Sequence, residues 1–126
     1  MKRLISAFCL LSVLIFYNWF AERYTIDFCR KLDAVLETCS AQIKEKNYSQ
    51  AESTVSKLYN LWEENDIILG VFIGDDSVVE PQKNIISIQL SLRDENYEKC
   101  LISIRDCQGC LHEIIENNRT NFGNVL

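Results

Sequence analysis

The chain has 126 residues, 48% of them hydrophobic, with 18 acidic against 13 basic side chains and a net charge of −5. Two of the bases, Lys2 and Arg3, precede every acid, so the part after Phe20 has 18 acids against 11 bases, a net of −7. That balance excludes nucleic acid or an anionic lipid surface as its main partner, since both select basic patches, and the length allows one modest core rather than two domains.

Leu4–Phe20 follows Lys2 and Arg3 without a charged side chain. A helix crosses a bilayer with roughly 20 mostly apolar residues, about 17 at the lower limit, so this run predicts an N-terminal membrane anchor over residues 1–21. The competing reading is a cleaved secretory signal, which needs small residues before the cut; the run ends in Phe16-Tyr17-Asn18-Trp19-Phe20-Ala21, with only Ala21 small. Tyr17 and Trp19 suit the headgroup level, and the positive start holds the N-terminus in the cytoplasm, leaving residues 22–126 as an extracytoplasmic domain. Cys9, mid-run after Ser6-Ala7-Phe8, reads as an ordinary residue of the span. The expected location is the cell membrane, single-pass, with lipid contacted through the N-terminal helix.

From Tyr24 to Lys46, Ile26, Cys29, Leu32, Leu36, Cys39 and Ile43 recur every three or four residues and predict a first helix that continues out of the span. Asn47-Tyr48 interrupts it. A second helix carries Ala51, Val55, Leu58 and Trp62 and extends through Ile68, Leu69, Phe72 and Ile73; Ile67–Ile73, which also has the look of a strand, has no second strand to pair with. Gly74-Asp75-Asp76-Ser77 supplies a turn, Ser77 and Glu80 form a capping box by spacing, and Pro81 is expected in the first turn of the third helix. Ile85, Ile88 and Leu92 mark that helix, and Tyr97, Leu101, Ile104, Cys107, Leu111 and Ile114 the fourth, expected to fray near Asn117-Asn118.

A shift of 49 residues lays Asn47-Tyr48 on Asn96-Tyr97, Ala51 on Cys100, Val55 on Ile104, Leu58 on Cys107, Leu61 on Cys110 and Trp62 on Leu111. Tetratricopeptide-type hairpins have a similar turn, but two units at this spacing make no solenoid. The predicted fold class is all-α: an N-terminal transmembrane helix followed by two helical hairpins that form a four-helix bundle.

The Lys2-Arg3 start, the Asn47-Tyr48-x-x-Ala51 and Asn96-Tyr97 turns, Trp62 with Phe72-Ile73 and an acidic turn, Leu111-His112-Glu113-Ile114 and the closing Asn124-Val125-Leu126 together resemble a known family. It is called domain of unknown function forty-three sixty-three, single-span proteins of spore-forming and related Gram-positive bacteria. The resemblance implies an all-helical extracytoplasmic module with no known activity. Members often have a His in the acidic turn, where this chain has Asp75-Asp76.

Chemistry is sparse. Cys107-Gln108-Gly109-Cys110 has the spacing of a redox or zinc motif, but mid-helix and not at the helix N-terminus that lowers a thiol pKa. Cys100, Cys107 and Cys110 share roughly one helix face as zinc candidates without a fourth ligand, while the repeat equates them with core positions. Cys39 and Cys107 are the candidate disulfide, at similar depth in helices one and four. Asp75, Asp76, Ser77 and Glu80 lack calcium-loop spacing, and His112 has no histidine partner. Asn47-Tyr48-Ser49 and Asn118-Arg119-Thr120 match the glycosylation sequon. No phosphate-cradling loop, nucleophile elbow or paired catalytic carboxylates occur, so neither an enzyme nor a cofactor is expected.

Ile67–Ile73 is apolar nearly all round, more than one core-facing stripe requires. The expected role is a non-enzymatic interaction module, an accessory subunit of another membrane protein, with Leu69, Phe72 and Ile73 at the contact. Burial beneath the third helix is the other use of that surplus. The alternative role is a thiol or metal sensor built on Cys100, Cys107 and Cys110.

Overall fold

The computed structural model describes the backbone of residues 1–125 and the side chains of residues 1–118. The side chains of Arg119, Thr120, Asn124 and Val125, and the whole of Leu126, lie outside the described residues. The described chain is all-helical: α1 Lys2–Lys44, α2 Tyr48–Ile73, α3 Asp75–Arg93 and α4 Tyr97–Val125. The helices run up, down, up and down, packing in a ring of α1 on α2, α2 on α3, α3 on α4 and α4 on α1. Ile67–Ile73 is helical, as the want of a pairing strand predicts.

The apolar N-terminal segment and the first bundle helix form one 43-residue helix without a break at Ala21. Its N-terminal half is long and apolar enough to cross a membrane, and that window is only 6% buried against the rest of the chain. From Ala21 onward the buried stripe Thr25, Phe28, Cys29, Leu32, Leu36, Cys39 and Ile43 faces the bundle, so packing begins where the apolar run ends.

The two turns at the far end of the bundle repeat each other bond for bond. Asn47 N–H donates to the Gln42 carbonyl at 2.8 Å and Lys46 N–H to Ile43 at 3.0 Å; Asn96 N–H donates to Ser91 at 2.8 Å and Glu95 N–H to Leu92 at 3.1 Å. This is the six-to-one and five-to-two bonding that satisfies the last carbonyls of a helix around one left-handed residue. Here that residue is Lys46 at φ 63° and Glu95 at φ 58°. The first residues of the following helices, Tyr48 and Tyr97, stack with ring centroids 3.8 Å apart and planes 7° from parallel.

The core follows the repeat. Ala51, Leu58, Trp62, Cys100, Ile104, Cys107 and Leu111 are all but inaccessible, Val55 nearly so, and Leu61 and Cys110 are both half-buried at its edge. Phe28 meets Trp62 at 6.4 Å between ring centroids.

The start of α3 differs from expectation. Gly74, at φ 95°, makes the reversal, and the helix begins at Asp75. Ser77 is therefore already in the first turn, where its N–H donates to the Gly74 carbonyl at 3.2 Å, and no side-chain cap forms. Asp75 and Asp76 instead set two carboxylates at the positive end of the helix dipole. Pro81 lies in the second turn, buried, and Glu80 pairs with Lys83 at 3.8 Å. α4 does not stop at Asn117-Asn118 but continues to Val125.

Candidate functional site

The end of α2 nearest the apolar N-terminal segment carries the most exposed large apolar side chains of the bundle. Phe72 packs edge-on against three rings of α1, with centroid distances of 5.7 Å to Tyr17, 6.2 Å to Phe20 and 5.4 Å to Tyr24. The rings of Tyr24 and Phe28 stack at 6.0 Å, and the Tyr24 hydroxyl donates to Asn65 Oδ1 at 2.6 Å. This joins α2 to the top of the apolar segment.

The three residues expected at a contact, Leu69, Phe72 and Ile73, are turned towards the rest of the chain. Leu69 is wholly buried, Phe72 is turned onto α1, and Ile73 packs against the core. The surplus faces outward one residue away: Ile67 is 79% exposed, Val71 68% and Ile68 47%. The stripe Val55, Leu58, Trp62 carried forward by seven reaches Leu69, which puts Ile67 and Val71 some 200° around the helix from it, at about 100° per residue. That phase was available in the sequence; reading the run as apolar all round hid it.

The thiols are not gathered. All six cysteines are free, and among the described residues no three or more of His, Cys, Asp and Glu are grouped as for a metal ion. The candidate Cys39–Cys107 disulfide is not formed, both thiols being free and buried. Burial pushes the Cys29, Cys39 and Cys107 thiols up to about 12 and Cys100 up to about 11, which opposes the thiolate that redox and metal chemistry require. Cys100 donates weakly to the Ile88 carbonyl at 3.7 Å, and half-buried Cys110 accepts from Asn84 Nδ2 at 3.4 Å. His112 lines a shallow cleft with Arg30 and Asp33. Asp75, Asp76 and Ser77 are exposed at the helix start.

A span-length apolar helix that runs unbroken into a bundle of two repeated hairpins defines a class: an all-helical module carried on a helix competent to cross a membrane. The match to known families agrees in its extent. The chain belongs to the family described as Domain of unknown function (DUF4363), whose model matches residues 19–125, the bundle and the last residues of the apolar segment. Neither a curated protein nor a solved structure matches the chain.

Proposed function

We propose that the chain is a non-enzymatic, membrane-anchored interaction module, an accessory subunit of another membrane protein, held in the cell membrane by residues 1–21 with its bundle outside the cytoplasm. The observation that carries this reading is the outward apolar group Ile67, Ile68 and Val71. The 49-residue shift equates these positions with Glu116, Asn117 and Thr120 in α4, so the same architecture is built with polar residues there. Apolar side chains on the outer face of α2 are therefore surplus to folding, and burying such a group against a partner is favourable by about 25 cal/mol per Å².

Its level narrows the partner. Phe72 rests on Tyr17 and Phe20, so Val71 stands just above the end of the apolar run and Ile67 about one turn higher. Asp75 and Asp76 at the tip of the hairpin, nearer the bilayer, oppose insertion of the corner into hydrocarbon. A second membrane protein with an apolar surface at the headgroup level meets both conditions.

The test is affinity purification of the full-length protein from its native membrane in mild detergent, beside a variant carrying Ile67→Glu, Ile68→Asn and Val71→Thr. A membrane protein recovered with the natural chain and lost with the variant is the expected outcome. Recovery of the same proteins with both chains, the variant being folded, removes the reading.

A further inference from the structure

An open groove of about 480 Å³ runs along α1 and α2 at the anchor end of the bundle, within the roughly 300–1,000 Å³ typical of small-ligand sites. It is lined from α1 by Trp19, Phe20, Arg23, Tyr24, Asp27 and Lys31 and from α2 by Asn65, with Tyr24 and Asn65 joined by their 2.6 Å hydrogen bond. Arg23 stacks on Trp19 with its guanidinium carbon 5.6 Å from the ring centroid. Among the described residues neither Arg23 nor Asp27 is engaged in an ion pair, with each other or with Lys31 one turn further out.

We infer that this groove holds the headgroup of an ethanolamine phospholipid of the surrounding bilayer, an inference that rests on the membrane reading above. Depth is the first argument. Counting about 1.5 Å per residue from Leu4, Arg23 lies about 29 Å along α1, which is where a hydrocarbon core about 30 Å thick gives way to phosphate. The order of charges is the second. A zwitterionic phospholipid presents its phosphate towards the hydrocarbon and its ammonium towards water; Arg23 is a bidentate phosphate donor at the inner position, and Asp27 is an acceptor about 6 Å further out. The exposed rings of Trp19 and Phe20 flank the start of the acyl chains. A primary ammonium has N–H groups to donate to the Asp27 carboxylate, which choline lacks, and a glycerol headgroup offers Asp27 only neutral hydroxyl donors, without the positive charge that strengthens such a bond.

Full-length protein in mild detergent, mixed with equimolar phosphatidylethanolamine, phosphatidylcholine and phosphatidylglycerol, is read by native mass spectrometry for retained lipid. The expected result is retention of phosphatidylethanolamine about tenfold over the other two, the effect of one charge-assisted hydrogen bond. Asp27→Asn is expected to abolish the preference, and Arg23→Gln to weaken retention of all three by a similar factor. Equal retention of the three lipids by the natural chain, or a preference that survives Asp27→Asn, overturns the inference. Flotation with liposomes separates the two levels: a protein that floats without the lipid preference sinks the groove assignment alone, whereas one that stays in the aqueous fraction sinks the membrane reading with it. Both variants lie on exposed positions, and unchanged circular-dichroism melts exclude loss of fold as the cause.

Discussion

Hairpin α1–α2 and hairpin α3–α4 close their far turns through the same two backbone bonds around Lys46 and Glu95 and stack Tyr48 on Tyr97, yet at the opposite end Ile67, Ile68 and Val71 stand where the other hairpin has Glu116, Asn117 and Thr120. Features present in both halves are what the bundle requires to fold. A feature present in one half only is free of that requirement, and the outer face of α2, with the groove beside it on α1, is such a feature. The apolar continuation of α1 is another, since α3 begins at Asp75 with nothing comparable before it. Function is therefore to be sought at the end beside the apolar N-terminal segment and stability at the far end and in the shared core.

The largest effect expected is in that core. Trp62 and its repeat mate Leu111 are each 1% exposed, and truncating either to Ala should cost about 3–5 kcal/mol for the tryptophan and about 2–5 for the leucine. Denaturant melts of the two variants give the comparison. A Trp62→Ala loss of less than about 1 kcal/mol would mean that the two halves do not share one core.

A second effect is the behaviour of the thiols in base. The ordinary thiol value of 9.0 rises to about 12 for Cys29, Cys39 and Cys107 and to about 11 for Cys100 on burial. As pH passes 9 the unfolded chain loses these protons first, so the folded chain holds more of them and stability falls with rising pH. The contribution is intact below about pH 9 and is lost progressively towards 12. Unfolding free energies measured across this window, against a Cys29, Cys39, Cys100 and Cys107 to Ala variant, test the sign: the natural chain should weaken more steeply. A natural chain no steeper than the variant would place these thiols in contact with water and revive the sensor role.

A smaller effect probes the repeated turns. Lys46 and Glu95 occupy a left-handed conformation that costs a non-glycine residue about 1–2 kcal/mol. Lys46→Gly and Glu95→Gly should each stabilise by about 0.5–1 kcal/mol, and by similar amounts, because the bonds around them are the same. Unequal shifts would break the equivalence of the two hairpins.

Helix number, the far turns and nearly all of the core were legible in the sequence because each rests on a local signal: a stripe at helical spacing, or a turn that recurs after 49 residues. Two things were less legible. The start of α3 depends on Gly74 adopting φ 95°, and the sequence Gly-Asp-Asp-Ser offers several cap positions of similar merit, Ser77 with Glu80 among them. The contact face of α2 lies in a run where apolar residues occupy every direction, so hydrophobicity alone carries no phase there; phase had to be carried in from Trp62. For the thiols, the sequence reported which cysteines line one helix but not which meet across two helices.

Writing the α4 residues onto α2 gives the smallest stability effect and the sharpest test of the comparison. In the variant Ile67→Glu, Ile68→Asn and Val71→Thr, the replaced side chains are 79%, 47% and 68% exposed, so little apolar area is returned to water. Threonine at 71 loses slightly in helix propensity, at most a few tenths of a kcal/mol, while Glu at 67 is a better helix former than Ile. The melting free energy should stay within about 0.5 kcal/mol of the natural chain. A loss of about 2 kcal/mol or more would show that these side chains are buried in the folded protein, against α3 or the apolar N-terminal segment, and would remove the ground for calling them surplus. A near-neutral change, set beside the core truncations, separates the face that folds the bundle from the face left over.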